Sequence, residues 1–229
     1  MIGGYTTLST TGIQGLSGIC LAPDGSGFLA ASDRGGVYRV SLSGEATPLY
    51  VETAGYGLDC EGVTMDPATG DVYFVLERDK QEVRRMRAPA YSESEVLATI
   101  TEVSSSSNSG LEGIAWMGDG TLMVANQANP RLLLRISATD GSVVSRTEIT
   151  TGITDISDLC YDPVRNALWI PDSEAKTINL CDLDGKVQKS YSMSFIDNGE
   201  GLFVDRERQC IWITDDTTSS IYKISFSNL

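Results

Sequence analysis

The sequence predicts an all-β protein, a five-bladed β-propeller with four-stranded antiparallel blades, and three observations lead there. The 229-residue chain repeats one unit five times at a period of ~45 residues, the length of a propeller blade. Each unit holds four short apolar or mixed stretches parted by turns rich in Asp, Gly and Pro, with no convincing helical period. The fifth unit stops after three such stretches, while a spare one, YTTLST at 5–10, precedes the first unit. Returned to the fifth unit, that N-terminal stretch supplies the missing strand, closes the ring and removes an open sheet edge. A single domain over 1–229 follows, with blades at about 15–57, 58–109, 110–153, 154–197, and 198–229 plus 1–14.

The elements of each unit recur in a fixed order. First strands are read in LSGICL (16–21), CEGVTM (60–65), LEGIAWM (111–117), ISDLCY (156–161) and GEGLFV (199–204). Turns such as APDGSG, DPATG and DPVRN follow, built from residues that set turn geometry. The second strands share one bulky position, Leu29, Phe74, Met123, Trp169 and Trp212. A repeated large residue is what packing between blades requires, so this column is predicted core. Trp116 aligns with Leu21, Met65, Tyr161 and Val204 on the first strand and is placed in the core too. Third strands run from GVYRVSL to SIYKISF, and the more polar fourth strands, such as ATPLYVE and KVQKSYSM, form the rim. VSSSSNSG at 103–110 reads as a flexible surface connection. DLDG at 182–185 reads as a hairpin turn, because the later ligands of a calcium loop are missing.

Composition removes several kinds of chemistry. With 17 basic and 31 acidic residues the net charge is −14, which argues against nucleic-acid or anionic-membrane partners. The same charge favours solubility and attracts cations. Histidine is absent, so Ser-His-Asp and Cys-His mechanisms and His-containing zinc sites are excluded. Carboxylates, lysine, tyrosine or a hard metal on oxygen ligands remain. Cys20, Cys60, Cys160, Cys181 and Cys210 form no CxxC pair, and an odd count suits buried small hydrophobes better than a disulfide framework. No GxSxG elbow, P-loop or GxGxxG occurs, and no apolar run approaches the ~18 residues of a membrane span.

One column carries the candidate site. Ser17, Glu61, Glu112, Ser157 and Glu200 occupy equivalent places in the five units. First strands of propeller blades line the axis, so these residues are expected to converge on one mouth of the channel. Asp59, Asp155, Asp158 and Asn198 lie within two residues of the column. Carboxylates so close repel one another, and either protons or a cation must relieve them. An oxygen-only donor set suits Ca²⁺ or Mg²⁺. An equally weighted reading makes Glu-Gly a packing element, with the glutamate capping backbone N–H groups and glycine allowing close approach. A second polar column, Asp33, Glu77, Asn126, Asp172 and Asp215, is mostly turn chemistry. Asp172 and the Asp215–Asp216 pair are kept as candidates.

Through LSGICLAPDG, DCEGVTMDPATGDVYFVLER, GLEGIAWMGDGTLMVANQ, ISDLCYDP and NGEGLFVD, the whole chain resembles the SdiA-regulated (YjiK-like) propeller family. It is more distantly similar to phytase esterase-like domains. The resemblance implies a five- or six-bladed propeller, calcium association, and a periplasmic or extracellular setting. It places Ca²⁺ near Glu61, Glu112 and Glu200, with Asp158 as a fourth candidate ligand. The chain departs from the Glu-Gly pattern at Ser17-Gly18 and Ser157-Asp158, which leaves the ring incomplete and its ligand set asymmetric. The leading expectation is a binding or scaffold protein that meets a small ligand or a protein partner at the axis. A looser likeness to the six-bladed gluconolactonase and paraoxonase propellers implies the alternative, a metal-dependent hydrolase of esters or lactones with Asp158 or Asp172 as base. The opening MIGGYTTLST lacks the basic and apolar regions of a signal peptide, so a cytoplasmic setting stays open.

Overall fold

The computed structural model describes residues 2–10, 12–51, 59–77, 80–103 and 109–226. Strand β1 is Ile2–Ser9, and the first blade follows as β2 Leu16–Leu21, β3 Gly27–Ser32, β4 Gly36–Ser41 and β5 Ala46–Val51. The second blade is β6 Cys60–Met65, β7 Val72–Leu76, β8 Glu82–Met86 and β9 Ser94–Thr99. The third is β10 Leu111–Trp116, β11 Thr121–Asn126, β12 Leu132–Ser137 and β13 Val143–Glu148. The fourth is β14 Cys160–Asp162, β15 Ala167–Asp172, β16 Thr177–Cys181 and β17 Val187–Ser192. Strands β18 Gly199–Asp205, β19 Cys210–Asp215 and β20 Ser220–Phe226 form the fifth with β1 as its outer member. Tyr5 pairs with Ile224 and Ser9 with Ser220, so the two ends of the chain close one antiparallel sheet. The fold is the predicted all-β five-bladed propeller of four-stranded antiparallel blades. Most of the predicted 103–110 connection, residues 104–108, lies outside the described residues.

Five apolar cores sit between successive blades. Leu29 and Phe74 join the first and second blades, and Tyr73 and Leu132 the second and third. Met123 and Leu168 join the third and fourth, Trp169 and Ile211 the fourth and fifth. Phe28 and Trp212 close the ring, ring centroids 4.8 Å apart at 60°. The bulky second-strand column is buried throughout, as predicted. The turn aspartates fasten it: Trp169 Nε1–H donates to Asp162 Oδ2 at 3.1 Å and Trp212 Nε1–H to Asp205 Oδ2 at 3.2 Å. DLDG is a turn between β16 and β17, where Gly185 N donates to Asp182 O and Asp182 Oδ1 accepts from the Asp184 and Lys186 N–H groups. All five cysteines are free thiols, buried except for the partly exposed Cys20.

Two expectations change. Leu21, Met65, Trp116 and Tyr161 are only half-buried: Met65, Trp116 and Tyr161 pack against the interblade cores, and all four also line an axial cavity. Of that column only Val204 is buried. The inner strand of the fourth blade is also short, starting at Cys160, although ISDLCY predicts one of ordinary length. Asp158 Oδ1 takes the Leu159 N–H at 2.7 Å, and Pro171 in the facing strand has no N–H to give. Both subtract rungs from the ladder there.

Candidate functional site

The inner strands β2, β6, β10, β14 and β18 all run in one sense along the axis, so equivalent residues form layers. Ladder register shifts fall between Leu16 and Ile19, Cys60 and Val63, Leu111 and Gly113, and Gly199 and Leu202. The acidic column thus rides on β-bulges, devices that re-aim a side chain and end regular pairing. The next layer is glycine in four blades, for a steric reason. A Cβ on Gly18 would overlap Glu61 O, one on Gly62 would overlap Glu112 O, and one on Gly201 would overlap Ser17 O. Close approach of neighbouring backbones therefore requires the glycine of each Glu-Gly or Ser-Gly pair.

Glu61, Glu112 and Glu200 meet at one mouth of the axis in a cavity of about 180 Å³ that Ser17, Asp33, Glu77, Asn198 and Asp216 also line. Among the described residues lining it there is no lysine or arginine. Asp59, Glu61 and Glu77, all buried, each bring a carboxylate oxygen within 4.8 Å of the others. Ser17 Oγ–H donates to Glu61 Oε2 at 2.5 Å, so one blade lacking the glutamate supplies a hydroxyl to its neighbour's. Asn198 Nδ2–H donates to Glu200 Oε1 at 2.7 Å, and Glu77 Oε1 accepts the Gly110 N–H at 3.0 Å. Burial pushes the Glu61 and Glu112 carboxyls well above the usual range, and the surrounding carboxylates push in the same direction. Burial, with Asp155 and Asp216 nearby, raises Glu200 to about 8. Glu77 is raised as well, chiefly by burial. Asp215, paired in register with Gly199, is fully buried, and neither of its carboxylate oxygens has a donor among the described residues.

Asp158 and Asp172 occupy other places. Asp172 accepts from Thr154 N at 2.7 Å and from Ala175 N at 2.8 Å, holding the segment that enters the fourth blade. Ser157 Oγ accepts from Ser173 N at 3.2 Å. Asp158 stands where the other blades have glycine, 1% exposed. Its Oδ2 accepts the Leu202 N–H at 2.9 Å, and the N–H groups of Ile114 and Ile19 also favour its anion. Those donors, with Leu159, belong to four different blades, which fixes the carboxylate on the axis. Burial raises its pKa well above the usual range, and the four donors pull against that rise.

Sequence reasoning left Glu77 to turn chemistry, whereas the structure brings it beside Asp59. The available signal was register: Cys60 pairs with Leu76, so the residue after the second strand lies across from the one before the first. Glu77 N donates to Asp59 O at 3.1 Å.

A sequence model of the SdiA-regulated family matches residues 10–229. The chain belongs to the SdiA-regulated family. None of the curated proteins matches its sequence. Solved structures similar to this SdiA-regulated propeller share its fold at low identity. One is a gluconolactonase from Xanthomonas campestris, with a TM-score of 0.65 at 15% identity over 93% of this chain and 72% of that one. Another comes from a nidogen/laminin complex, with a TM-score of 0.62 at 12% identity over 90% and 74%. A third is a streptogramin B lyase, with a TM-score of 0.56 at 14% identity over 100% and 74%.

Proposed function

We propose that the acidic mouth holds a divalent cation, Ca²⁺, and through it binds an oxygen-bearing small ligand or a partner's carboxylate. One observation carries this reading: Asp59, Glu61 and Glu77 place carboxylate oxygens within 4.8 Å of one another. Glu112 and Glu200 share their cavity, and no basic side chain among its described lining residues neutralises them. Protons or a cation must supply the missing positive charge, and a hard, oxygen-only donor set suits Ca²⁺. Such a site works where calcium is abundant, which suits a periplasmic or extracellular setting. The protein acts in this reading as a binding module. The gluconolactonase likeness favours a second reading, hydrolysis of esters or lactones at the same mouth. Asp158 and Asp172 give that reading little help, because the oxygens of both are engaged by backbone N–H groups.

Thermal unfolding in EDTA and after restoring Ca²⁺ tests the proposal, with elemental analysis to verify that the ion is removed. Ca²⁺ at a hundred times its Kd raises stability by about 2.7 kcal/mol, and the Glu61→Gln/Glu112→Gln variant loses that response. A wild type freed of metal that ignores Ca²⁺ overturns the proposal. Turnover of a chromogenic ester or lactone that the double variant loses supports the hydrolytic reading.

A further inference from the structure

The opposite end of the axis is a second cavity of about 250 Å³, and its chemistry is the reverse of the mouth's. Its floor is the layer that follows the glycines: Ile19, Val63, Ile114, Leu159 and Leu202, each at most 3% exposed. The Asp158 carboxylate lies on the far side of that layer and occupies N–H groups of four of these residues. Four of the five backbone N–H groups of the floor are thereby taken. Its walls carry the Cys20 and Cys160 thiols. Burial raises both thiols far above the usual range, so they are neutral hydrogen-bonding apolar groups at pH 7. Thr64 Oγ1 accepts the Trp116 N–H at 3.0 Å, and Tyr161 Oη–H donates to Asn166 Oδ1 at 2.9 Å. No Asp, Glu, Lys or Arg is among the described lining residues.

The opening is rimmed by Met65, Trp116, Tyr161 and Phe203, all half-buried. Three aromatic rings and a thioether around a neutral cavity favour edge and face contacts with another ring, and sulfur–aromatic contacts besides. The volume falls below the ~300–1,000 Å³ of pockets for drug-sized molecules. Among the described lining residues an anion finds no basic side chain and a cation no acidic one. We propose that this end of the axis binds an uncharged aromatic molecule of about one ring, at a site separate from the acidic mouth. The proposal stands apart from the cation reading, since it uses none of the mouth residues.

The probe is p-cresol, followed by tryptophan fluorescence and by calorimetry. Trp169 and Trp212 are 1% and 7% exposed, so the half-buried Trp116 reports the change, and Trp116→Phe abolishes the optical signal. Saturable binding of one p-cresol is expected, with benzoate, benzylamine and cyclohexanol each weaker by about tenfold or more. Cys20→Phe fills the wall and Met65→Trp fills the rim. Each lowers p-cresol affinity by about tenfold or more, with circular dichroism verifying the fold. If Cys20→Phe does not fold, Met65→Trp decides. Three results overturn the proposal: no saturation by ~5 mM, equal binding of the charged analogues or of cyclohexanol, or affinity unchanged in the folded filled variants.

Discussion

The two ends of the axis are built by the same five strands and have opposite chemistry. At one end Glu61, Glu112 and Glu200 gather with Asp59 and Glu77. Four residues further along, at ~3.3 Å per residue, the strands present Leu21, Met65, Trp116 and Tyr161. The layers between them explain both ends. Four glycines let the inner strands close tightly, and Asp158 fills the remaining axial space with a carboxylate held by backbone N–H groups. The acids are buried above this layer, and burial leads the causes of their raised pKa values. At the apolar end Asp158 holds the N–H groups of four floor residues, and no charged side chain is among the described lining residues. A narrow axis can therefore carry two unlike cavities with one layer between them.

Breaking that layer gives the largest expected effects. Gly62→Val drives a side chain into the Glu112 backbone and is expected to cost about 3 kcal/mol or more in the urea midpoint. Asp158→Gly leaves buried N–H groups of four blades without an acceptor, at about 1–3 kcal/mol for a single unsatisfied group. Formate in the buffer recovers part of that loss, because it re-enters the same cradle. Chloride at equal ionic strength serves as the control.

The next effect separates the ends by pH. The raised carboxyls keep protons in the folded chain that the unfolded chain has already lost, between the usual 4.5 and about 8 for Glu200. Stability of the cation-free protein therefore falls as pH rises through that window. Urea unfolding in EDTA at about pH 5.5 and about pH 8 checks it, and saturating Ca²⁺ is expected to flatten the slope. Glu61→Gln/Glu112→Gln removes two of the repelling groups. It is expected to shallow the pH slope while changing stability at pH 5.5 by about 1 kcal/mol or less. A slope that is unchanged in this variant would place the titrating groups elsewhere. The smallest change belongs to the apolar end, where Tyr161→Phe removes one partly exposed hydrogen bond to Asn166. It is expected to shift stability by about 0.5 kcal/mol and to leave the Ca²⁺ response unaltered.

Much of this was readable from repetition. The five units, their strand order and the return of the N-terminal strand followed from turn residues and apolar columns, which local physics controls. The Glu-Gly pairs gave the position of the mouth, while the donors to Glu61 and Glu200 are the Ser17 and Asn198 side chains and not the backbone N–H groups that a capping role implies. The glycine serves close approach, and the glutamates gather in one cavity. The inner-strand column with Trp116 was legible only in part, because its residues pack against a blade core and line the axial cavity at once. Glu77 was hidden for a related reason: a residue just past a strand reads as a turn until the register is known.

The sequence by itself determined the blade count, the ring closure and the acidic layer, since each is written in residue types repeated at one spacing. Only the tertiary structure decided what Asp158 does. One aspartate in place of a glycine reads as a lapse in the repeat. Its meaning depends on N–H groups from Ile19, Ile114, Leu159 and Leu202, which are far apart in sequence and converge only when the ring closes.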